Sequence, residues 1–274
     1  MVVLAAVLVL ILRHPAAKRP GAAAGGQQIA SENLIRGQAV TWVTSQVGRD
    51  IDIGCDGVVC SDLAQHGFPA GNLNTISATA PDPYGSQLVI ATADIRSQFG
   101  RKLATFYAPQ VIASFGTGTS RIDIRLIAES GAPAFLAALA KDLQARKSSG
   151  AQLLHNSKIV ETAAAAQALG QGQVDERLLT AIAFLAAQQP LSIVGFGGSA
   201  PGTGPGVPLR YVYLAESDPA AHESSAAYLK ALIAGARGLR PPYVPLSVAT
   251  TPGPGGQNVL RIEFAAPSPL NLLP

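Results

Sequence analysis

The two cysteines of the 274-residue chain, Cys55 and Cys60, lie close together in the run CDGVVC. Such a pair in an otherwise cysteine-free chain indicates a structural disulfide that forms in an oxidising compartment. Two free buried thiols, or a redox or zinc-binding pair, are the alternatives. A thioredoxin-like site needs the spacing C-x-x-C, and zinc needs two further nitrogen or sulfur ligands, of which only His66 is near in sequence. We therefore favour the disulfide.

Other groups that could do chemistry are scattered along the sequence. The four histidines, at positions 14, 66, 155 and 222, have no metal-binding spacing, and without a well-placed histidine a serine or cysteine triad is hard to assemble. Ser199, in GGSAP, lacks the final glycine and the following helix of a nucleophile elbow. The glycine-rich runs at 116–120 and 195–198 lead into no helix, whereas phosphate-binding loops do. The sequence thus predicts no catalytic residue, no metal and no cofactor.

Polar residues follow several predicted strands in the first half of the chain. The candidate ligand-binding residues are Asp56, Thr92, Asp94, Arg96 and Ser114. Open parallel sheets bind ligands at the carboxyl ends of their strands, and an acid, an arginine and hydroxyls in one crevice suit a sugar or an anionic group. The alternative is structural: Asp56 and Asp94 cap helices, and Arg96 forms a surface ion pair. Asp56 and Asp94 are also the acidic pair that catalysis would require.

The elements that position these residues alternate along residues 31–130. A helix over 32–47, capped by Ser31, precedes strands at 51–54, 73–77, 87–91, 111–115 and 121–127, with helices at 58–66 and 94–106 between them. Strands separated by helices predict an α/β fold with a Rossmann-like, mostly parallel sheet. The run GTGTS at 116–120 predicts a hairpin, and therefore an antiparallel edge.

Residues 131–274 are predicted to form a smaller α+β domain with a largely antiparallel sheet. The predicted helices cover 132–147, 162–169, 176–189 and 222–236, and the predicted strands cover 156–160, 191–196, 209–215, 243–250 and 258–265. A long Gly/Pro loop occupies 197–208, and a hairpin at 253–257 joins the last two strands.

The N-terminal segment is uninterrupted apolar sequence over residues 2–12. As a helix it would cover about 18 Å, against about 30 Å of hydrocarbon in a bilayer. We interpret residues 1–13 as a membrane anchor whose first residues are missing, with a signal peptide and a core helix as alternatives. Residues 14–30 are predicted to be a flexible tether.

Two features of the sequence favour opposite orientations in the membrane. Basic residues after the apolar run favour a cytoplasmic body by the positive-inside rule, whereas the cysteine pair favours the outside. We favour a single-pass protein of the cell membrane with an extracytoplasmic body. A net charge of +3 without any Lys/Arg block argues against a nucleic-acid partner, and 48% apolar residues argue against general disorder.

The first half resembles the soluble C-terminal segment of actinobacterial membrane glycosyltransferases that use lipid-linked sugars. The similar stretches are 42–43, 53–56, 62–68, 89–96 and 113–127, which include VIATADIR and ASFGTGTSRIDIRLI. The resemblance implies the fold of a segment that does not carry the chemistry of those enzymes. The whole chain resembles uncharacterised actinobacterial envelope proteins with a single anchor, through its CD…C, ADIRSQFG and APSP segments, and that group implies no activity.

The second half resembles envelope peptidase-like domains more weakly, through VDERLLTAIAFLAAQQPLSIVGF. Metal-dependent members need a histidine and an aspartate after the strand, plus a further histidine. Here neither residue type follows until Asp218 and His222, so the resemblance implies a domain that has lost its metal.

Two functions are compatible with the sequence. The first is a membrane-anchored, extracytoplasmic, non-catalytic binding or scaffold protein of the cell envelope, in contact with the membrane through residues 2–12 and with an envelope glycan or another envelope protein. The second is an accessory module of, or an enzyme in, envelope glycan transfer or hydrolysis. The absence of a catalytic set favours the first.

Overall fold

A computed structural model of the protein describes residues 21–79, 82–198, 200–217, 225–253, 256 and 258–272. The predicted membrane anchor lies outside these ranges, as do Ser199, Asp218 and His222. Within the described ranges, no helix is both long enough and apolar enough to cross a bilayer.

The first half of the chain folds around a mixed five-stranded sheet. Its helices are α1 (Gly21–Gln46), α2 (Gly57–Gln65) and α3 (Ala93–Phe99), and its strands are β1 (Ile53–Cys55), β2 (Leu73–Thr75), β3 (Leu88–Ala91), β4 (Gln110–Phe115) and β5 (Ile122–Leu126). The strand order is β2-β1-β3-β5-β4, in which β1 runs parallel to β2 and β3, and β5 runs antiparallel to β3 and β4.

This topology corrects the predicted Rossmann-like sheet. The hairpin of β4 and β5 is confirmed, but β5 rather than β4 pairs with β3, so two of the pairings are antiparallel. The short connection from Phe115 to Ile122 carries no crossover helix, so β5 runs opposite to β4. The second antiparallel pairing arises because this returning strand of the hairpin lies beside β3.

The second half combines helices with a largely antiparallel sheet, as predicted. Its helices are α4 (Ala132–Leu154), α5 (Ala163–Gly170), α6 (Glu176–Gln188) and α7 (Ala226–Arg237), and its strands are β6 (Ile159–Glu161), β7 (Leu191–Gly197), β8 (Tyr211–Glu216), β9 (Ser247–Pro252) and β10 (Asn258–Glu263). The order is β6-β7-β8-β10-β9, with β6 and β7 parallel and the other pairings antiparallel.

Two helices extend beyond their predicted bounds. The helix α1 begins at Gly21, inside the stretch predicted as tether, so Ser31 lies within the helix and the predicted N-cap is wrong. The alanines at 22–24 favour helix, which outweighs the capping preference of serine. The helix α4 continues through Ser148, Ser149 and Gly150 to Leu154. Gly150 lets α5 pack closely against α4, since a side chain there would collide with the backbone of Leu169.

Separate apolar cores lie in the two halves. In the first, α1 and α2 cover one face of the sheet, with Trp42, Val43, Ile53, Leu63 and Ile124 among the buried residues. A smaller cluster that includes Ile95 and Leu103 covers the opposite face. In the second half, α5, α6 and α7 pack on β7, β8 and β10.

Two backbone connections hold the halves together. The loop at 200–208 runs along the outer edge of β4, where the Ser114 N–H donates to the Gly202 carbonyl (2.7 Å) and the Gly204 N–H donates to the Ile112 carbonyl (2.9 Å). The segment after β10 pairs with the end of α1, since the Ala266 N–H donates to the Gln46 carbonyl at 2.6 Å. The Gly/Pro loop is therefore part of the junction between the halves.

Candidate functional site

The predicted ligand-binding residues lie partly around one crevice, at the carboxyl ends of β1 and β3. This strand-end crevice has a volume of about 350 Å³, and its lining includes Asp56, Thr92 and Asp94 together with Glu32 and Arg36 of α1. Arg96 and Ser114 are not part of the lining. The neighbouring parallel strands β1 and β3 bring the first three residues together, as the sequence predicts.

Asp56 connects the two strand ends. Its Oδ1 accepts hydrogen bonds from the backbone N–H groups of Val58 (3.0 Å) and Val59 (2.9 Å) in the first turn of α2, and its Oδ2 accepts from the Thr92 hydroxyl at 2.6 Å. Both carboxylate oxygens therefore have partners within the protein. The structural alternative for Asp56, a helix cap, is confirmed.

The predicted disulfide reinforces the same junction. Cys55 ends β1, Cys60 lies in α2, and their sulfur atoms are bonded at 2.00 Å in the interior. The disulfide and the cap of Asp56 together hold the start of α2 against the end of β1.

Arg96 faces backbone carbonyls and not the crevice. Its guanidinium donates to the carbonyl oxygens of Ala91 (3.0 Å), Thr119 (2.8 Å) and Arg121. Those acceptors belong to the end of β3 and to the turn between β4 and β5, so Arg96 braces that turn. The sequence predicts that Arg96 contacts a ligand or forms a surface ion pair. In the structure its hydrogen-bond partners are backbone carbonyls instead.

Ser114 belongs to an ionic cluster around the buried Asp123 of β5. Its hydroxyl donates to Asp123 Oδ1 at 2.7 Å, and Arg121 donates to both Asp123 oxygens at 2.6 and 2.8 Å. Burial alone would raise the pKa of Asp123, but the hydrogen bonds from Arg121 and Ser114 outweigh it and hold that pKa below its ordinary value. Since β5 lies between β3 and β4, Ser114 is two strands away from Thr92.

The charge of the strand-end crevice is acidic. Glu32, Asp56 and Asp94 supply three carboxylates to the lining, and Arg36 is already paired with Asp62 at 2.8 Å. The carboxylates would repel an anionic ligand. Because Arg96 does not face the crevice, the expectation that the crevice binds an anionic group has lost its basis. The ligand-binding role of these residues stays a prediction.

A larger groove runs along α1, between that helix, the end of β4 and residues 200–202. This α1 groove has a volume of about 910 Å³. Its polar lining consists of Asn33, Gln38, Thr41, Ser45, Gln46 and Ser114, and its apolar lining of Leu34, Trp42, Phe115, Ala200 and Pro201. Among the described residues that line it, none is an aspartate, glutamate, lysine or arginine. His66 is the group with a titratable side chain, and its exposed Nδ1 lies 2.8 Å from the Asp62 carbonyl.

Sequence reasoning missed the α1 groove because its walls come from three distant segments. The signal that could have indicated it is the outer face of α1, where the small or polar residues Asn33, Gly37, Gln38 and Thr41 recur at helical spacing. Across the described parts of the chain, no three histidine, cysteine, aspartate or glutamate side chains cluster so as to hold a metal ion.

Compared with models of protein families, with curated proteins and with solved structures, the chain has no significant match. The resemblances to actinobacterial envelope proteins and glycosyltransferase segments therefore stay expectations from the sequence, and the function has to be argued from the site.

Proposed function

We propose that the protein is a membrane-anchored, non-catalytic binding protein of the cell envelope, whose body lies outside the cytoplasm and holds a neutral glycan in the α1 groove. The observation that carries the proposal is the lining of that groove, whose described residues combine amides, hydroxyls and apolar surface without a carboxylate, ammonium or guanidinium group.

Glycan hydroxyls both donate and accept hydrogen bonds, so a matching surface needs side chains that do both. The amide of Gln38 and the hydroxyl of Thr41 have this property. The amide oxygens of Asn33 and Gln46 already accept from Arg36 and Arg210, so these two side chains present their amide N–H groups. A neutral ligand is favoured because a charged one would lose hydration without gaining an opposite charge. A volume of about 910 Å³ suits a bound oligosaccharide.

The same geometry supports binding without chemistry. General acid–base catalysis needs a titratable group within about 3 Å of the proton that it moves. In the α1 groove the candidate is His66, which is exposed to solvent at the end of α2 and has one ring nitrogen beside a backbone carbonyl. In the strand-end crevice, Asp56 has both oxygens engaged in hydrogen bonds.

The proposed location depends on two features. The disulfide between Cys55 and Cys60 supports an oxidising compartment, and the apolar run at 2–12 supports an anchor in the membrane. Together they support an extracytoplasmic body on a single membrane segment.

A second candidate function is a part in glycan transfer or hydrolysis. It is supported by the exposed carboxylate of Asp94, which lines the acidic strand-end crevice beside Asp56 and Glu32. Turnover of an envelope glycan that Asp94→Asn abolishes would establish this function instead of the first.

The test of the first proposal is a binding measurement with two matched variants. Gly37 lies on the exposed wall of the α1 groove, and a Cβ there would meet no atom within 4 Å, so Gly37→Arg should obstruct the groove without disturbing the fold. Gly170→Arg is the control, because Gly170 is also helical, exposed and free of close neighbours but lies in α5 of the other half.

The probes are neutral gluco-, manno- and galacto-oligosaccharides, titrated against each protein by calorimetry. Gly37→Arg should weaken binding by at least about tenfold, which is ~1.4 kcal/mol, whereas Gly170→Arg should bind like the wild type. Wild-type protein that binds none of the probes, or equal binding by both variants, would contradict the proposal.

A further inference from the structure

A small, partly enclosed cavity lies where the two halves of the chain meet. Its volume is about 30 Å³. Trp42 of α1 and Gln110 of β4 line it from the first half, and Asp142 of α4, Arg210 before β8 and Ser268 after β10 line it from the second.

Four of these five residues have a buried polar atom with no hydrogen-bond partner among the described residues, whereas the Asp142 carboxylate is hydrogen-bonded to the carboxyl group of Glu176. The four atoms are Trp42 Nε1, Gln110 Oε1, Arg210 Nε and Ser268 Oγ. Buried polar groups in folded proteins are almost always paired, and water fills the role where the protein does not. Four such atoms around one cavity therefore indicate a ligand.

The other groups of the same side chains have partners within the protein. Arg210 donates from its terminal nitrogens to the Phe264 carbonyl (3.0 Å) and to Gln46 Oε1 (2.9 Å). Asp142 Oδ2 accepts from Arg146 Nε at 2.7 Å. These contacts fix the side chains in place, so the unpaired atoms belong to an organised site.

The size and the polarity of the cavity identify the ligand. A water molecule needs about 10–15 Å³ of such space, so the cavity admits about two waters and excludes organic molecules. The indole and guanidinium N–H groups disfavour a cation, and the carboxylate and amide oxygens disfavour an anion. Water satisfies both sets because it donates and accepts.

We infer that this cavity is a binding site for ordered water, in which about two molecules bridge side chains of the two halves of the chain. The bound water completes the hydrogen bonds of Trp42 and Gln110 on one side and of Arg210 and Ser268 on the other. The inference goes beyond the proposed glycan binding and does not depend on it.

The chain offers a direct probe of this site. Trp42 is the single tryptophan, so its indole N–H gives one resonance in the nitrogen–proton NMR spectrum. In the wild-type protein, the indole proton should show a dipolar cross-peak with water in the rotating frame, whose sign is opposite to that of chemical exchange. Absence of this cross-peak from a resolved indole resonance overturns the inference.

Two serine variants locate the water. Ser268→Val removes a hydroxyl and places apolar atoms at the cavity, so most of the cross-peak intensity should be lost. Ser97→Val makes the same change on the exposed surface of α3 and should leave the intensity as in the wild type. A cross-peak of unchanged intensity in Ser268→Val overturns the inference. If that variant does not fold, electron density for water in a high-resolution crystal structure of the wild type decides, and its absence overturns the inference.

Discussion

Asp56 provides the sharpest test of the architecture around the strand-end crevice. Asp56→Ala removes the cap of α2, worth about 1 kcal/mol, and the hydrogen bond from Thr92 to a charged oxygen, worth about 1.5–3 kcal/mol. The free energy of unfolding should fall by roughly 2–4 kcal/mol. At roughly 2–4 °C per kcal/mol, the melting temperature should drop by roughly 5–15 °C.

Two companion variants separate the two contributions. Thr92→Val keeps the shape of the side chain but removes the hydroxyl, so it should lose the link between β1 and β3 and keep the cap. Asp56→Asn retains an oxygen that accepts from the N–H groups of α2, so its loss should be the smallest of the three.

The assay is urea unfolding of the single variants Asp56→Ala and Thr92→Val and of the double variant that combines them. Because the two side chains share one hydrogen bond, the double variant should lose less than the sum of the single losses, by about 0.5–3 kcal/mol. Strictly additive losses, or an Asp56→Ala protein as stable as the wild type, would refute the structural role and return Asp56 to the candidate ligand-binding residues.

Three further predictions concern the rest of the molecule. Protein from its native compartment should contain no alkylatable thiol. Replacement of Cys55 and Cys60 by serine should lower the free energy of unfolding by about 2 kcal/mol. Two reactive thiols would contradict both the disulfide and the proposed extracytoplasmic location. Burial raises the pKa of Glu176 to about 8, together with the hydrogen bond and the negative charge of Asp142 in α4. The folded protein then holds a proton that the unfolded chain releases above its ordinary pKa of 4.5, so stability should fall from about pH 5 to pH 8 and level off above that. Glu176→Gln should flatten this profile in thermal melts, and an equal slope in the variant would exclude Glu176 as the cause. Gly202→Ala should destabilise the protein more than Gly206→Ala. Both glycines have positive φ, but a Cβ at Gly202 would also collide with the buried ring of Phe115. Equal losses of unfolding free energy would show that this ring moves aside.

Local pattern was sufficient to locate several strands of the first half but neither the ends of the helices α1 and α4 nor the order of the first sheet. The strands β1, β3 and β4 agree with the predicted ranges to within two residues, because short apolar runs between turn residues mark buried strands. The position of β5 between β3 and β4 depends on long-range pairing, for which neither sequence spacing nor composition carries a signal.

The same distinction between local pattern and long-range strand pairing applies to the candidate site. Asp56 and Thr92 come together because β1 and β3 are parallel neighbours, so the rule about strand ends applies to them. The rule fails for Ser114, since an antiparallel strand separates it from the crevice. It fails for Arg96 because a long side chain can reach carbonyls on a turn that is 23 residues away in sequence.

The loop along β4 has a consequence for solubility. An uncovered edge strand offers unpaired N–H and C=O groups that another chain can extend, which is how many β-sheet proteins begin to aggregate. Here the backbone of residues 202–204 occupies the outer edge of β4 in the manner of a sixth strand. Changes that release this loop should therefore promote intermolecular strand pairing at β4 as well as weaken the junction.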